Sequence, residues 1–579
     1  RGAYSPLKVE ERGGGSAGES RMRLQASGEP PEDKYHACYG VFFLLAVATL
    51  LPWNAFISAS GYFAARLATT PFSVNFENFF GVAYNVTSVL SLAALTYTRL
   101  GEWSVRHKVL YPLIIVFSAF TFQTVACMIS PDKLGGNLFF GLTMMMVLIC
   151  GGCNALVQAG LFGMAARLPA TYVQALMAGQ GMGGVLPAFI LVVSISLSPS
   201  GTGTPEYKDV KWSAMAYFAV STFTVLLGIC GYLWLETCDL LEYYNAIDLP
   251  NRRDISRSES LVGQEALINA SKSFLRGYED PEDAPSPSPP NTNTITITNT
   301  NTTTNTTTTT NAKPSRFVVI EEKKGGHLGD SQMDSQRDFQ RDADQEGRGQ
   351  KSNSSVSASS SPASRPSSGR WPSEALRRAA STRAYCDIRN MAWGVFVNFA
   401  VSLAIFPSVT ANIYAPQSNA HQDGDKIVFD ANPPEGRFYG DLFIPFYCFL
   451  LFNICDFAGR CLAGRYRALS AEWYLPFSAA RVVFIPLFLL CNVVEVGDSV
   501  LPVVFKHVAF PILLMVFMAF SNGYLSCLQF MEAPSRVPEC LQDTAGRMMC
   551  LFCGFGLLAG SAFSFFLHFL LCTCNPLLQ

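Results

Sequence analysis

Three polar side chains stand in a stretch otherwise apolar enough to lie in lipid. In FYCFLLFNICDFAGRCLAG, Asn453, Asp456 and Arg460 are spaced three and four residues apart, so a helix places them on one face. A lone charge at mid-bilayer costs about 2.5–3.5 kcal/mol on insertion scales, and an opposite charge one turn away offsets part of that. The trio can present an acid, a guanidinium and an amide to a polar solute. The same spacing also serves an intrahelical salt bridge that only holds a bundle together.

Other polar or helix-breaking residues occur in apolar stretches. Asn154 and Gln158 lie in one, and AGQGMGG (178–184), which includes Gly179 and Gly184, lies in the next. Dense glycine lets another helix approach closely and weakens its own helix, which suits packing and motion alike. Gln158 is harder to explain as packing. Its amide both donates and accepts, as the edge of a nucleobase requires. In SLAIFPSVT (402–410), Pro407 removes a backbone donor and is expected to kink the helix. In LPWNAFISASGYF (51–63), Pro52 is expected to do the same. Trp53 beside it supplies a flat aromatic face, and Asn54 an amide able to brace neighbouring helices. A tryptophan near the membrane interface is also a common anchor.

The chain around these residues is strongly apolar: 579 residues, 49% hydrophobic, 12% aromatic and only 15% charged. An ordinary soluble enzyme of this length is more polar. A net charge of −2 leaves no global basic footprint, so no nucleic-acid partner is expected. Apolar runs of about 20 residues, the length that spans a bilayer, fall at 37–60, 78–98, 109–129, 138–160, 172–197, 212–235, 391–411, 441–463, 474–494, 505–526 and 544–572. The expected fold is therefore all-α and polytopic, with eleven transmembrane helices in a six-plus-five order. The chain begins at Arg1 without an initiator Met, which predicts residues upstream. The acidic, polar tail before the first run does not read as a cleaved signal peptide.

The expected organisation is a cytosolic tail (1–35), an N-terminal bundle of helices 1–6 (36–235), a cytosolic loop (236–389) and a C-terminal bundle of helices 7–11 (390–579). The loop contains PSPSPP, TITITNTNTTTNTTTTTN and KSNSSVSASSSPASRPSS. Such tracts cannot bury enough apolar surface to offset chain entropy, so disorder is expected there. Its RRDISRSES patch is a candidate kinase substrate or a merely solvated linker. Lysine and arginine near the run ends set orientation. Arg99, Arg106, Lys108, Arg377, Arg378, Arg383, Arg389, Arg465 and Arg467 fall on one side, while acidic residues such as Asp423 and Asp430 fall on the other. The N-terminus and the long loop are thus expected in the cytosol, with the C-terminus outside or in a lumen. Among 17 cysteines, CGGC (150–153) and CLFC (550–553) have suggestive spacing, but both lie in apolar runs without a second ligand pair. Small soft residues packing between helices are the better account, and no metal or cofactor is expected.

LPWNAFISASGYF closely resembles the first-helix signature of the equilibrative nucleoside transporter family. LPATYVQALMAGQGMGG, FPSVT, FNICDFAGR, SNGYL (521–525) and TAG (544–546) resemble its later motifs in the same order. The resemblance covers all but the N-terminal tail and the central loop. It implies a major-facilitator-like arrangement of eleven spans that moves nucleosides, and in some members nucleobases, by alternating access through a central cavity. It implies that Trp53 lies against the solute near a gate, that Gln158 faces the base, and that Asp456 and Arg460 bond the ribose hydroxyls. Asn54 and Asn453 would support that cluster, Gly179 and Gly184 would lie where the fifth helix packs closely, and Phe406 and Pro407 would shape the cavity. Ala55 and Ile57 stand at variable positions beside the Trp-Asn pair.

A nucleoside joins a flat, weakly polar base to a hydroxyl-rich sugar, which matches aromatic surface and an amide at one end and a charged pair at the other. The expected function is facilitated diffusion of nucleosides such as adenosine and uridine, with the lipid bilayer as the other partner. The alternatives are a proton-coupled nucleoside or nucleobase carrier, or a major-facilitator carrier for another polar solute such as a sugar. An enzyme is not expected: an intramembrane aspartyl protease would need a second aspartate facing Asp456, and the runs offer none. The membrane is either the plasma membrane or an endolysosomal or vacuolar one; YSPL (4–7) and ETCDLL (236–241) resemble sorting signals.

Overall fold

The computed structural model describes residues 30–72, 76–129, 134–197, 207–244, 373–423, 426–494 and 501–571. The RRDISRSES patch, the Thr/Asn-rich tract and YSPL lie outside the described residues. Among those described, eleven helices are long and apolar enough to cross a membrane. A helix satisfies its own backbone polar groups, which lipid cannot do, so each apolar run takes that form. They are α1 (Ala37–Ser58), α2 (Phe76–Tyr97), α3 (Val105–Met128), α4 (Gly136–Ala165), α5 (Ala170–Leu197) and α6 (Tyr207–Leu235), then α7 (Ser373–Ile405), α8 (Leu451–Arg465), α9 (Ala471–Leu489), α10 (Ala509–Glu532) and α11 (Gln542–Leu571). Large apolar side chains such as Leu90, Phe223, Phe517 and Phe566 point outward, as a lipid-facing surface requires.

Local chemistry sets the ends. Asp33 caps α1, its two carboxylate oxygens accepting from the backbone N–H groups of Cys38 (2.9 Å) and Tyr39 (3.1 Å). Ser104 caps α3 by accepting from His107 N. The N-terminal helices pack around an aromatic cluster of Phe56, Phe63, Phe80, Phe120, Phe139 and Phe218, whose rings meet mostly edge to face. Between α7 and α8, the connecting segment carries a two-stranded antiparallel hairpin, His421–Asp423 against Lys426–Val428. A wide π turn, Pro445–Leu450, leads into α8.

Three local features differ from the sequence expectation. Helix α1 runs unbroken through Pro52, and its break comes at Ala59, before a short helix at Ser60–Leu67. The Asn54 amide donates both to Leu50 O (3.1 Å) and across to Gly183 O in α5 (3.2 Å), which ties the proline-containing segment to its neighbour. Near Pro407, α7 does not kink and continue; it ends at Ile405, and a short 3₁₀ turn follows at Thr410–Asn412. At its other end α7 starts at Ser373, well before the apolar run, so Arg377, Arg378, Arg383 and Arg389 are helical. A charged helical extension needs no apolar run once it leaves the hydrocarbon.

Candidate functional site

Helices α1, α2, α4 and α5 face α7, α8, α10 and α11 across a cavity of about 850 Å³. Its lining begins at mid-helix, with Leu50, Leu92, Gln158, Gln180, Arg460 and Asn522. It continues through Ser58, Phe76, Ala188, Asn412 and Phe565. Because the helices alternate in direction, these residues run from mid-bundle towards the end opposite the N-terminus. The near end is packed shut. There Asp543 of α11 pairs with Arg547 (3.0 Å) and with Arg167 beyond α4 (3.6 Å), and Arg547 donates to the Leu95 and Gly101 carbonyls (both 3.2 Å). The cavity therefore runs towards the end of the bundle opposite the N-terminus.

On the wall formed by α8, Asp456 and Arg460 meet as the spacing requires: Arg460 Nε donates to Asp456 Oδ2 at 2.7 Å, with both side chains 6% exposed. Arg460 also reaches the other half of the bundle, donating from Nη1 to Met177 O at 3.0 Å, with Gln180 Oε1 at 3.5 Å. The pair thus joins α8 to α5 as well as lining the cavity. Asn453, one turn earlier, donates to Phe449 O at 2.8 Å and lines the same wall. A Cβ added to Gly184 would collide with the Asn453 amide oxygen, so only glycine leaves that amide in place.

Aromatic surface faces the cavity from both sides. Trp53 and Tyr84 stack on the α1–α2 side, while Phe406 stacks on Phe452 with centroids 3.9 Å apart and planes at 7°. Ile57 and Pro407 also line the cavity. Gln158 lines the cavity half-buried and makes no hydrogen bond to another described residue, so its amide is available to a solute. Asn54 reaches the lining while bracing α1 to α5. Gly179 is not a lining residue; it faces α1, where a Cβ would strike Phe43 O and approach Ala46 Cβ at 2.8 Å.

Asn522, Tyr84, Gln180 and Arg481 were not among the expected site residues. Asn522 Nδ2 donates to Asp456 Oδ1 at 2.7 Å, and Tyr84 Oη accepts from Asn154 at 3.3 Å. Arg481 is buried behind Asn522. The available signal was the one that marked Asp456: a charge or amide inside an apolar run. Of the two cysteine motifs, Cys150, Cys153, Cys550 and Cys553 are all buried, and the described residues hold no group of three or more potential metal ligands. At the end of the bundle opposite the N-terminus, Arg437 donates to Asp441 Oδ2 (2.6 Å) and to Ile195 O at the end of α5 (3.0 Å). Its hydrogen bonds to Asp441 hold the guanidinium pKa above its ordinary value.

The family described as nucleoside transporter matches residues 143–277 and 331–569. Equilibrative nucleoside transporter 2 of Mus musculus is 28% identical over 94% of this chain and 100% of its own length. Equilibrative nucleoside transporter 1 of Homo sapiens is 25% identical over 92% of this chain and 97% of its own. Among solved structures, the human organic anion transporter MFSD10 aligns over 93% of this chain and 95% of its own, with a TM-score of 0.43 and 13% identity.

Proposed function

The chain belongs to the nucleoside transporter family, and on that premise we propose how its cavity holds and releases the solute. It is a multi-pass membrane protein for facilitative nucleoside transport. The base lies between the aromatic walls, against Trp53 on one side and near Phe406 on the other, with Gln158 bonding its edge. The ribose hydroxyls donate to Asp456 and accept from Arg460, while Asn453 and Asn54 hold that cluster in shape. Ile57 and Pro407 narrow the outer approach, and Gly179 and Gly184 let α5 lie close to its partners. One observation carries this reading: an unpartnered amide, stacked aromatics and a buried acid–guanidinium pair share one cavity between two sets of helices.

Transport then requires the inner contacts to part as the outer ones close. Arg460 is suited to report that change, because its guanidinium spans α8 and α5. A neutral solute needs no strong field to enter, and modest affinity lets it leave. The same reading places the tail (1–35) and the loop (236–389) in the cytosol, between bundles 36–235 and 390–579, with a kinase acting on that loop. It places the C-terminus outside or in a lumen, in a plasma or endolysosomal membrane.

Uptake of radiolabelled uridine and adenosine into proteoliposomes tests the site. Asp456→Ala and Arg460→Ala should each abolish most uptake at equal amounts of reconstituted protein. Normal uptake by both would mean that the sugar binds elsewhere.

A further inference from the structure

We propose that Arg481 is a positioning residue for the sugar-binding carboxylate: acting through Asn522, it orients Asp456 from within the C-terminal helices alone. This rests on the reading of Asp456 given above. Arg481 sits where α9 is broken, in a 3₁₀ turn at Arg481–Val483 between Tyr474–Ala480 and Phe484–Leu489. It is 3% exposed, and no carboxylate among the described residues lies within ion-pair distance of it. Its donors go to neutral oxygens instead. Nε reaches Ser521 Oγ (3.1 Å), Nη2 reaches Ser402 Oγ (2.7 Å) and Met518 O (3.0 Å), and Nη1 reaches Asn398 Oδ1 (2.5 Å), Asn398 O (2.7 Å) and, more weakly, Asn522 Oδ1 (3.4 Å).

A guanidinium only donates, so the Asn398 amide turns its oxygen to Arg481 and its NH₂ to Asn522, whose own oxygen faces both. Ser402 Oγ meets that oxygen at 2.7 Å and Asn398 Nδ2 at 3.0 Å. The Asn522 NH₂ is thereby forced to the opposite side, where it donates to Asp456 Oδ1 at 2.7 Å. Close backbone approach permits the bond: a Cβ on the adjacent Gly523 would collide with Asp456 O. The relay thus fixes one carboxylate oxygen, while Arg460 holds the other.

The two supports differ in what they span. Arg460 is also bonded to Met177 O and Gln180 in α5, so separating α5 from α8 removes those partners and leaves it only the bond to Asp456 on its own helix. Arg481, Asn522, Asn398 and Asp456 lie on α9, α10, α7 and α8, so their bonds survive that separation. A buried carboxylate held in the wrong orientation is costly. The Arg481–Asn522 relay fixes Asp456 Oδ1 from within one set of helices, while Arg460, once freed from α5, keeps only Asp456 Oδ2.

The test compares uridine with 2′,3′-dideoxyuridine in proteoliposomes of the full chain, with KM and Vmax per reconstituted molecule. A charge-assisted hydrogen bond corresponds to roughly a tenfold or larger change in affinity. Arg481→Gln should raise the uridine KM about tenfold while changing the dideoxyuridine KM less than about twofold. Arg481→Lys should recover part of the preference, and adding Arg481→Gln to Asn522→Ala should change nothing further. If Arg481→Gln does not reach the membrane, Arg481→Lys carries the same comparison. An equal rise for both substrates, a fall in Vmax alone, or additive effects with Asn522→Ala would overturn the proposal in favour of a pin between helices. A preference lost in Asp456→Asn but kept in Arg481→Gln overturns the relay only. A preference that survives Asp456→Asn overturns the sugar-site reading and the relay with it.

Discussion

Trp53 lies stacked on Tyr84, with ring centroids 4.1 Å apart and planes inclined by 21°. One face of the indole is therefore spent on the protein, and on the proposed reading the solute is left the remaining surface. Tyr84 in turn accepts a hydrogen bond from Asn154 at 3.3 Å. The orientation of the indole is set by α2 and α4, not by α1 alone.

The stack gives a graded prediction. Aromatic pairs contribute about 0.5–1.5 kcal/mol beyond area burial. Tyr84→Leu should raise the nucleoside KM by roughly two- to tenfold, because the indole loses its backing. Tyr84→Phe keeps the ring and should stay close to wild type. Uptake kinetics on equal amounts of inserted protein decide the point; equal losses in both variants would assign the role to the hydroxyl instead.

Breaking the buried pair should cost stability as well as transport. Removing one partner of such a pair costs about 3–5 kcal/mol because the other charge is stranded. Asp456→Asn should lower the thermal midpoint of the purified protein, and adding Arg460→Met should restore part of it. A double variant less stable than Asp456→Asn would show that Arg460 is held chiefly by Met177 O and Gln180 rather than by the aspartate.

Gly184 and Gly179 predict different rescues. Gly184→Ala drives a methyl group into the Asn453 amide, a flexible obstacle, so Asn453→Ala should recover much of the lost stability. Gly179→Ala meets the Phe43 backbone carbonyl, which no side-chain substitution removes. Overpacking of this kind costs about 1–3 kcal/mol. Thermal unfolding of the two single variants and the Gly184→Ala/Asn453→Ala double variant measures the contrast. Failure of the double variant to recover would count against the collision as the cause.

Asp543 should hold the end of the bundle nearest the N-terminus shut. It pairs with Arg167 and Arg547, with side chains only 11–19% exposed, so screening leaves part of the interaction intact. Asp543→Asn should shift the population towards a state open at that end. Ala166 is buried, and its Cβ lies close to Gly546 of α11, so alkylation of a cysteine placed there reports the opening. Labelling of Ala166→Cys should rise several-fold when Asp543→Asn is added. Unchanged labelling would assign the closure to helix packing alone.

The sequence by itself determined the helices and one side-chain pair. A run of about 20 apolar residues has a single low-energy form in lipid, because only a helix pairs all its backbone groups internally. The Asp456–Arg460 pair was equally legible, since a separation of four residues fixes contact on any helix. Tertiary structure decided the rest. Tyr84 and Trp53 are far apart in the chain, as are Asn453 and Gly184, or Arg481, Asn522 and Asp456; nothing local brings them together. Even the effect of Pro52 was settled by its surroundings, because the α5 backbone at Gly183 binds Asn54 and α1 continues to Ser58. Periodicity states which residues share a face, but the partner of that face depends on how eleven helices cross, and close approach at a few glycines fixes those crossings.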